Sequence, residues 1–284
     1  MDRKAVAKQT MAIMEKGYYE IEGHKIEIAA LQKRSMEESF LLTPEQGTVI
    51  LNKYESAGEN NVVMRKSYTA VTWNCSTVDA ILKLTAEGKK GMGVLNFASA
   101  KNPGGGFLNG AMAQEESIAA SSCLYKTLLL HKDYYVKNRD CKTMMYTDHA
   151  IYSPEVVFFR DKRFQLLKEP VTASVLTLPA VNMGQVMLKG EDVEYAEQVM
   201  KRRMKLSLGI FAEQGCGHLV LGAYGCGVFR NDPEKIAKWW RELLEHTFRD
   251  VFETIVFAVL DTSSSQACIN AFEKVWGEEE GAVE

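Results

Sequence analysis

The sequence has few of the features that mark metal, disulfide, nucleic-acid or membrane proteins. Its six cysteines (Cys75, Cys123, Cys141, Cys216, Cys226 and Cys268) form no C-x-x-C pair and follow no signal peptide. A reduced, cytoplasmic setting is therefore the economical reading. Five histidines are scattered, none at H-x-x-x-H spacing, so no metal site and no cofactor are expected. Positive charge is not in excess either: 34 Lys and Arg stand against 37 Asp and Glu, for a net charge of -3. No global field exists to hold DNA or RNA, and an anionic ligand would have to be held largely by backbone dipoles. No apolar run approaches the ~20 residues of a membrane span, so neither membrane nor nucleic acid is an expected partner. What remains is 284 residues at 46% apolar content, enough for one large domain, or one domain with an extension.

Residues 1–60 read as an N-terminal extension: a helix over 1–16 stopped by Gly17, a hairpin of 18–21 with 25–28 around Gly23, and a helix over about 30–42 ended by Pro44. No chemical motif falls there. Residues 61–284 form the main domain. An extended stretch over 62–73 leads to a helix capped by Ser76 or Thr77 and running to about Glu87. A short apolar strand follows over 92–98, then a helix from Gln114 that carries Ile118, Tyr125, Leu128 and Leu129 toward a core. The polar stretch 132–150 reads as a loop or lid. Strands are predicted at 156–159, 174–179, 218–223 and 254–260, helices at 192–213, 233–248 and 264–275, and a frayed acidic tail from Glu278. Short apolar strands alternating with helices predict an α/β sheet covered on both faces.

The chemistry concentrates after the strand at 92–98. There Pro103 precedes Gly104, Gly105 and Gly106, and seven residues later Gln114, Glu115 and Glu116 open a helix. Glycines without Cβ let backbone N–H groups approach a ligand, and a helix start adds unpaired donors, so the stretch suits an anion such as phosphate. One acidic side chain in a first helical turn is ordinary. A pair beside an anion cradle is not. A second glycine loop, Gly222 to Phe229, leaves a strand and enters the helix that begins Asp232-Pro233. By itself the Gly225-Cys226-Gly227 pattern is weak, and a plain tight turn explains it equally well. With the first loop it makes a clasp for a diphosphate across the carboxyl ends of the strands. Phe229 is then either a core aromatic or a stacking platform for a ribose or base.

Gly104-Gly105-Gly106, seven residues, then Gln114-Glu115-Glu116 resembles the signature of the poly(ADP-ribose) glycohydrolases (PARG), in the short microbial form built on a macrodomain. The resemblance extends over about residues 60–276. It implies a three-layer α/β/α macrodomain with a mixed sheet, and hydrolysis of the ribose–ribose O-glycosidic bond of poly(ADP-ribose). ADP-ribose would be the product, and ADP-ribosylated proteins the partners that carry the polymer. Carried over, Glu116 is the catalytic glutamate and Glu115 holds a ribose. Gly104, Gly105, Gly106, Gln114, Gly225, Cys226 and Gly227 fall on the substrate-binding segments, with Val228 and Phe229 near the distal ribose and adenine. A ribose-contacting asparagine of larger members falls here on Ser99 or Asn102.

Glycosidic cleavage needs an acid for the leaving oxygen and a base for water. Neighbours on a helix point about 100° apart, so Glu115 and Glu116 are not expected to face each other and should have different jobs. The simplest scheme gives both proton transfers to Glu116. Two other readings share the fold: a macrodomain that only binds ADP-ribose, and a hydrolase for mono-ADP-ribosyl groups or ADP-ribose phosphate. The paired glutamates favour the enzyme, since a reader gains nothing from an extra carboxylate beside an anion.

Overall fold

In the computed structural model, which describes residues 2–57 and 68–277, the chain starts with helix α1 (Arg3–Lys16). Asp2 caps it, accepting from the N–H groups of Lys4 and Ala5 at 3.0 and 3.3 Å, and Gly17 ends it at φ 73°. The expected hairpin follows as β1 (Tyr18–Ile21) and β2 (His24–Glu27). Helix α2 (Ala29–Glu38) is shorter than expected. Residues 40–42, assigned to that helix from the sequence, instead form strand β3 (Phe40–Leu42), in antiparallel register with residues 150–152. Pro44 does not merely stop a helix; it starts α3 (Pro44–Ala57), because proline suits the first turn, where its missing N–H has no partner to lose.

The main body continues with β4 (Thr69–Trp73), α4 (Thr77–Ala86), β5 (Met92–Phe97), α5 (Gln114–Ser121), α6 (Leu124–Leu130) and α7 (Lys132–Asp140). Then come β6 (Ala150–Arg160), β7 (Leu166–Leu178), α8 (Met183–Lys189), α9 (Val193–Glu213), β8 (His218–Leu221), α10 (Pro233–Glu242), β9 (Thr254–Ala258) and α11 (Ala267–Trp276). The stretch expected to be extended over 62–73 is strand from Thr69. Its first part, and the acidic tail from Glu278, lie outside the described residues.

Seven strands form one mixed sheet in the order β3-β6-β7-β5-β8-β9-β4. The β3, β6 and β7 pairings are antiparallel, and those joining β7, β5, β8, β9 and β4 are parallel. Strands β5, β8 and β9 are short apolar runs buried on both faces, as helix-covered parallel strands must be. One face packs Val78, Ile81 and Leu84 of α4 with Ile118, Leu124 and Leu128. The other packs Met200, Met204 and Phe211 of α9 with Trp240 and Phe272. This is the expected three-layer α/β/α arrangement.

The segment 132–150 is not all loop. Helix α7 occupies its first half and buries Tyr134 and Tyr135, while Lys132, Asp133, Lys137 and Arg139 face solvent. Asn138 then pins the following loop, accepting from the N–H and hydroxyl of Thr147 at 2.9 and 3.0 Å. Leu129, expected in the core, is 38% exposed. Helix α8 was not expected from the sequence, and the helix expected over 233–248 leaves α geometry after Glu242 in a π turn, Leu243–Thr247. Among the described residues no helix is long and apolar enough to cross a membrane. Strands β5 and β8 pair in parallel, so the loops that leave their carboxyl ends emerge on the same edge of the sheet.

Candidate active site

The loop after β5 is built to pass closely over two carboxyl groups. Ser99 starts it, its hydroxyl accepting from the N–H groups of Lys101 and Asn102 at 3.3 and 3.1 Å. Gly104 and Gly105 follow at φ 64° and 60°. A Cβ on Gly105 would overlap the Glu116 carboxylate and lie 3.2 Å from Oε2 of Glu115. Only glycine lets the chain adopt that φ and that approach together.

Each residue of the Gln114-Glu115-Glu116 run is fixed by backbone. The Gln114 carboxamide accepts from the Phe97 N–H at 2.8 Å and donates to the Leu95 carbonyl at 2.8 Å and the Thr77 hydroxyl at 3.2 Å. It ties the start of α5 to the end of β5. Glu115 is 3% exposed. Its Oε2 accepts from the Ser99 N–H at 2.7 Å, and its Oε1 from Nδ2 of Asn96 at 3.3 Å. Burial pushes this carboxyl from the ordinary 4.5 up to about 8; the Ser99 N–H and Asn96 amide oppose the shift, and the charge of Glu116 adds to it. At neutral pH Glu115 is largely protonated. Glu116 is only part-buried, and it accepts from the N–H groups of Gly106 at 2.9 Å and Ala113 at 3.1 Å. As the third residue of the helix it reaches back to the N-cap backbone. Helical spacing implied that the two glutamates would diverge. Instead both meet Gly105, because Glu116 curls back over the first turn while Glu115 turns in toward β5.

The loop after β8 has a rigid base and an open tip. A Cβ on Gly222 would lie 2.6 Å from the Ala258 carbonyl oxygen, so glycine allows β8 and β9 to stay close at their ends. Tyr224 is buried and donates its hydroxyl proton to the Leu178 carbonyl at 2.9 Å. Gly225 has φ 74°, and a Cβ there would lie 2.6 Å from Nδ2 of Asn231 and 2.7 Å from Cβ of Ala180. Asn231 holds the loop closed, donating to the carbonyls of Val181 and Gly225 at 2.8 and 3.0 Å. At the tip, Gly227 has open space around it and Val228 is exposed. Phe229 is half-buried against Tyr146, with ring centroids 6.1 Å apart.

Between the loops lies a cavity of about 340 Å³, with Ser99, Gln114, Glu115 and Glu116 on one side and Gly225, Gly227, Val228 and Phe229 on the other. Past Phe97 and Ala223 it joins a second compartment of about 550 Å³, bounded by Asn74, Thr77, Val259 and Leu260. Cys226 lines this second compartment beside Cys268. Of the two residues competing for a ribose contact, Ser99 lines the cavity; Asn102 is exposed outside it. Gly104 and Gly106 shape the loop from behind, Gly104 against Phe107 and Tyr125, and Gly106 through its N–H on Glu116. Asn96, buried in β5 and touching Glu115, was not expected at the site; an asparagine inside an apolar strand was the available signal.

Two carboxyl groups that meet at Gly105, on one side of a crevice whose other side is a glycine loop, mark an α/β/α hydrolase of nucleotide-linked sugars. Residues 7–161 match the family described as microbial-type PARG, catalytic domain, and the chain belongs to that family. The match begins within residues 1–60 and runs through the glycine loop and the Gln114-Glu115-Glu116 helix. The PARG of Thermomonospora curvata is 36% identical, with a TM-score of 0.90 over 96% of this chain and 98% of that one. The same enzyme bound to the inhibitor ADP-HPD gives 35% identity and 0.88 over the same shares of the two chains. The PARG of Deinococcus radiodurans in complex with ADP-ribose is 39% identical, with a TM-score of 0.78 over 87% of this chain and 97% of that one. A comparison with curated proteins finds no match.

Proposed function

We infer that this chain is a poly(ADP-ribose) glycohydrolase that cuts the ribose–ribose O-glycosidic bond and releases ADP-ribose. The observation that carries this reading is the convergence of Glu115 and Glu116 beneath Gly105, at one end of a two-compartment crevice. In our reading the terminal ADP-ribose lies along the crevice. Its diphosphate meets the N–H groups of the Gly225–Phe229 segment, its distal ribose lies by Ser99 and Glu115, and its adenosine end extends into the larger compartment. Protonated Glu115 donates a hydrogen bond to a ribose hydroxyl, which removes the like-charge conflict of two carboxylates beside an anion.

Glu116 carries the chemistry. It gives a proton to the leaving oxygen as the C–O bond breaks; the oxocarbenium-like centre is then attacked by water, whose proton returns to Glu116. Acid and base are one residue in alternate states, so no second facing carboxylate is needed. Six cysteines without a disulfide suit a reducing compartment, and we assign the protein to the cytoplasm, acting on polymer carried by ADP-ribosylated proteins.

The test is incubation with purified poly(ADP-ribose) and measurement of released ADP-ribose. Glu116→Gln should lose turnover by about 10²–10⁴-fold while still binding ADP-ribose, since it removes proton transfer but not shape. Glu115→Gln should keep part of the activity, because an amide still donates to a hydroxyl. Parent-like turnover in Glu116→Gln would remove Glu116 from the role. A parent that binds ADP-ribose but never cuts polymer would be a reader or a mono-ADP-ribosyl hydrolase.

A further inference from the structure

Glu116 borders two spaces. On one side is the ADP-ribose crevice; on the other is a shallow cleft lined by Arg3, Val6, Phe107, Ala111, Met112 and Phe164. A residue that protonates the oxygen between two ADP-ribose units must have one unit on each side of its carboxyl group. The crevice takes the terminal unit. The unit left behind must then pass over the second side, across the first turn of α1.

We propose that this surface, with Arg3 at its centre, is the subsite for the ADP-ribose unit on the leaving side of the cut bond. The proposal rests on the glycohydrolase reading above. The cleft has room only for a water-sized group, about 10 Å³, so the leaving unit lies over it as on a ledge. The chemistry of the ledge suits a nucleoside diphosphate. Leu108, beside the cleft, is 45% exposed, and Met112, which stands between the cleft and the larger compartment of the crevice, is 43% exposed; both offer apolar contact to a base or ribose. Arg3 and Lys4 are exposed and have no ion-pair partner among the described residues, so both are available to a diphosphate. A guanidinium is well matched to phosphate oxygens.

The ledge is held rigidly to the catalytic helix. Gly110, at φ 80°, lets the first turn of α1 close in: a Cβ there would lie 3.3 Å from Cγ of Lys4 and 3.4 Å from Cβ of Arg3. Further along α1, the Thr10 hydroxyl donates to the Ala120 carbonyl of α5 at 2.7 Å and accepts from Nε of Arg160 at 3.2 Å. Thus the helix that positions Arg3 is anchored to the helix that carries Glu116. Free ADP-ribose, which fills only the crevice, does not reach Arg3. The ledge therefore favours polymer over the single nucleotide.

The experiment compares parent, Arg3→Ala/Lys4→Ala and Arg3→Lys for turnover of purified polymer and for calorimetric binding of ADP-ribose. The double variant should raise KM for polymer about tenfold, with kcat and ADP-ribose affinity within twofold of parent, because the interaction is made equally in ground and transition states. Its KM should also depend less on salt, with the log–log slope reduced by about one for each phosphate left without a cationic partner. Arg3→Lys should recover most of the loss. Parent-like KM and salt slope in the double variant would overturn the proposal while leaving the glycohydrolase reading intact. So would an equal fall in ADP-ribose affinity, which would mark a purely structural effect. A parent that leaves the polymer uncut would overturn both.

Discussion

The N–H of Ser99 donates to Oε2 of Glu115 at 2.7 Å, and the carboxyl group it holds is one that burial has pushed up to about 8. A main-chain donor from the end of β5 thus orients a buried acid on α5 without forcing it to ionise. Protein stability is coupled to that proton. From the ordinary 4.5 up to about 8, the folded chain keeps a proton that the unfolded chain has lost. Stability from this group is full below 4.5 and is lost as pH rises through about 8. Glu115→Gln cannot ionise and should escape the loss, so its advantage over parent should grow between pH 5 and pH 9. One pKa unit is worth about 1.4 kcal/mol, so the swing is of order a few kcal/mol. Denaturant melts of both proteins at the two pH values test this; parallel curves would mean that Glu115 ionises normally. Parent turnover should also fall on the alkaline side near the same pH.

Gly105→Ala should stop catalysis through placement rather than chemistry. Its Cβ would push the Glu116 carboxylate aside, and displacements of about 1 Å can cost about 10²-fold in rate. Gly88→Ala is the control, since Gly88 has φ 77° but nothing within 4 Å of the added Cβ. Both variants should lose similar stability, about 1 kcal/mol or somewhat more, from the left-handed backbone. Only Gly105→Ala should lose turnover, and comparable rates for the two would show that its Cβ is accommodated.

The two glycines of the second loop should separate stability from binding. Gly225→Ala meets Asn231 and Ala180 and should destabilise the fold by roughly 2–4 kcal/mol, combining strain with overpacking. Gly227→Ala meets nothing and should leave the thermal midpoint nearly unchanged, while its methyl group narrows the crevice and weakens ADP-ribose binding. Thermal melts paired with calorimetry decide the matter, and a stable Gly225→Ala protein would refute the packing account.

Phe229→Ala should weaken ADP-ribose binding by roughly 1–2 kcal/mol, as loss of an aromatic stacking surface does elsewhere. The ring meets Tyr146 and the margin of the main core and lines the cavity, so the melting temperature should fall only modestly. A large stability loss with unchanged affinity would make Phe229 a core residue.

Much of this protein was legible in the order of its residues, because the relevant physics acts over a few positions. Short apolar runs marked β5, β8 and β9, Asp232-Pro233 marked the start of α10, and three glycines before Gln114-Glu115-Glu116 marked the candidate site. What depended on distant partners was not legible. Residues 40–42 suit a helix locally and become strand because β6 offers them hydrogen bonds. Residues 132–140 looked like a loop because their helix turns nearly all its charge outward and buries little besides two tyrosines and Asn138. That Ser99 and not Asn102 lines the crevice followed only from how the loop turns at the Ser99 hydroxyl. The different surroundings of the two glutamates were decided in three dimensions. Glu115 and Glu116 are chemically identical neighbours, and only the packing of β5, Asn96 and Gly105 desolvates one while leaving the other at the junction of two clefts.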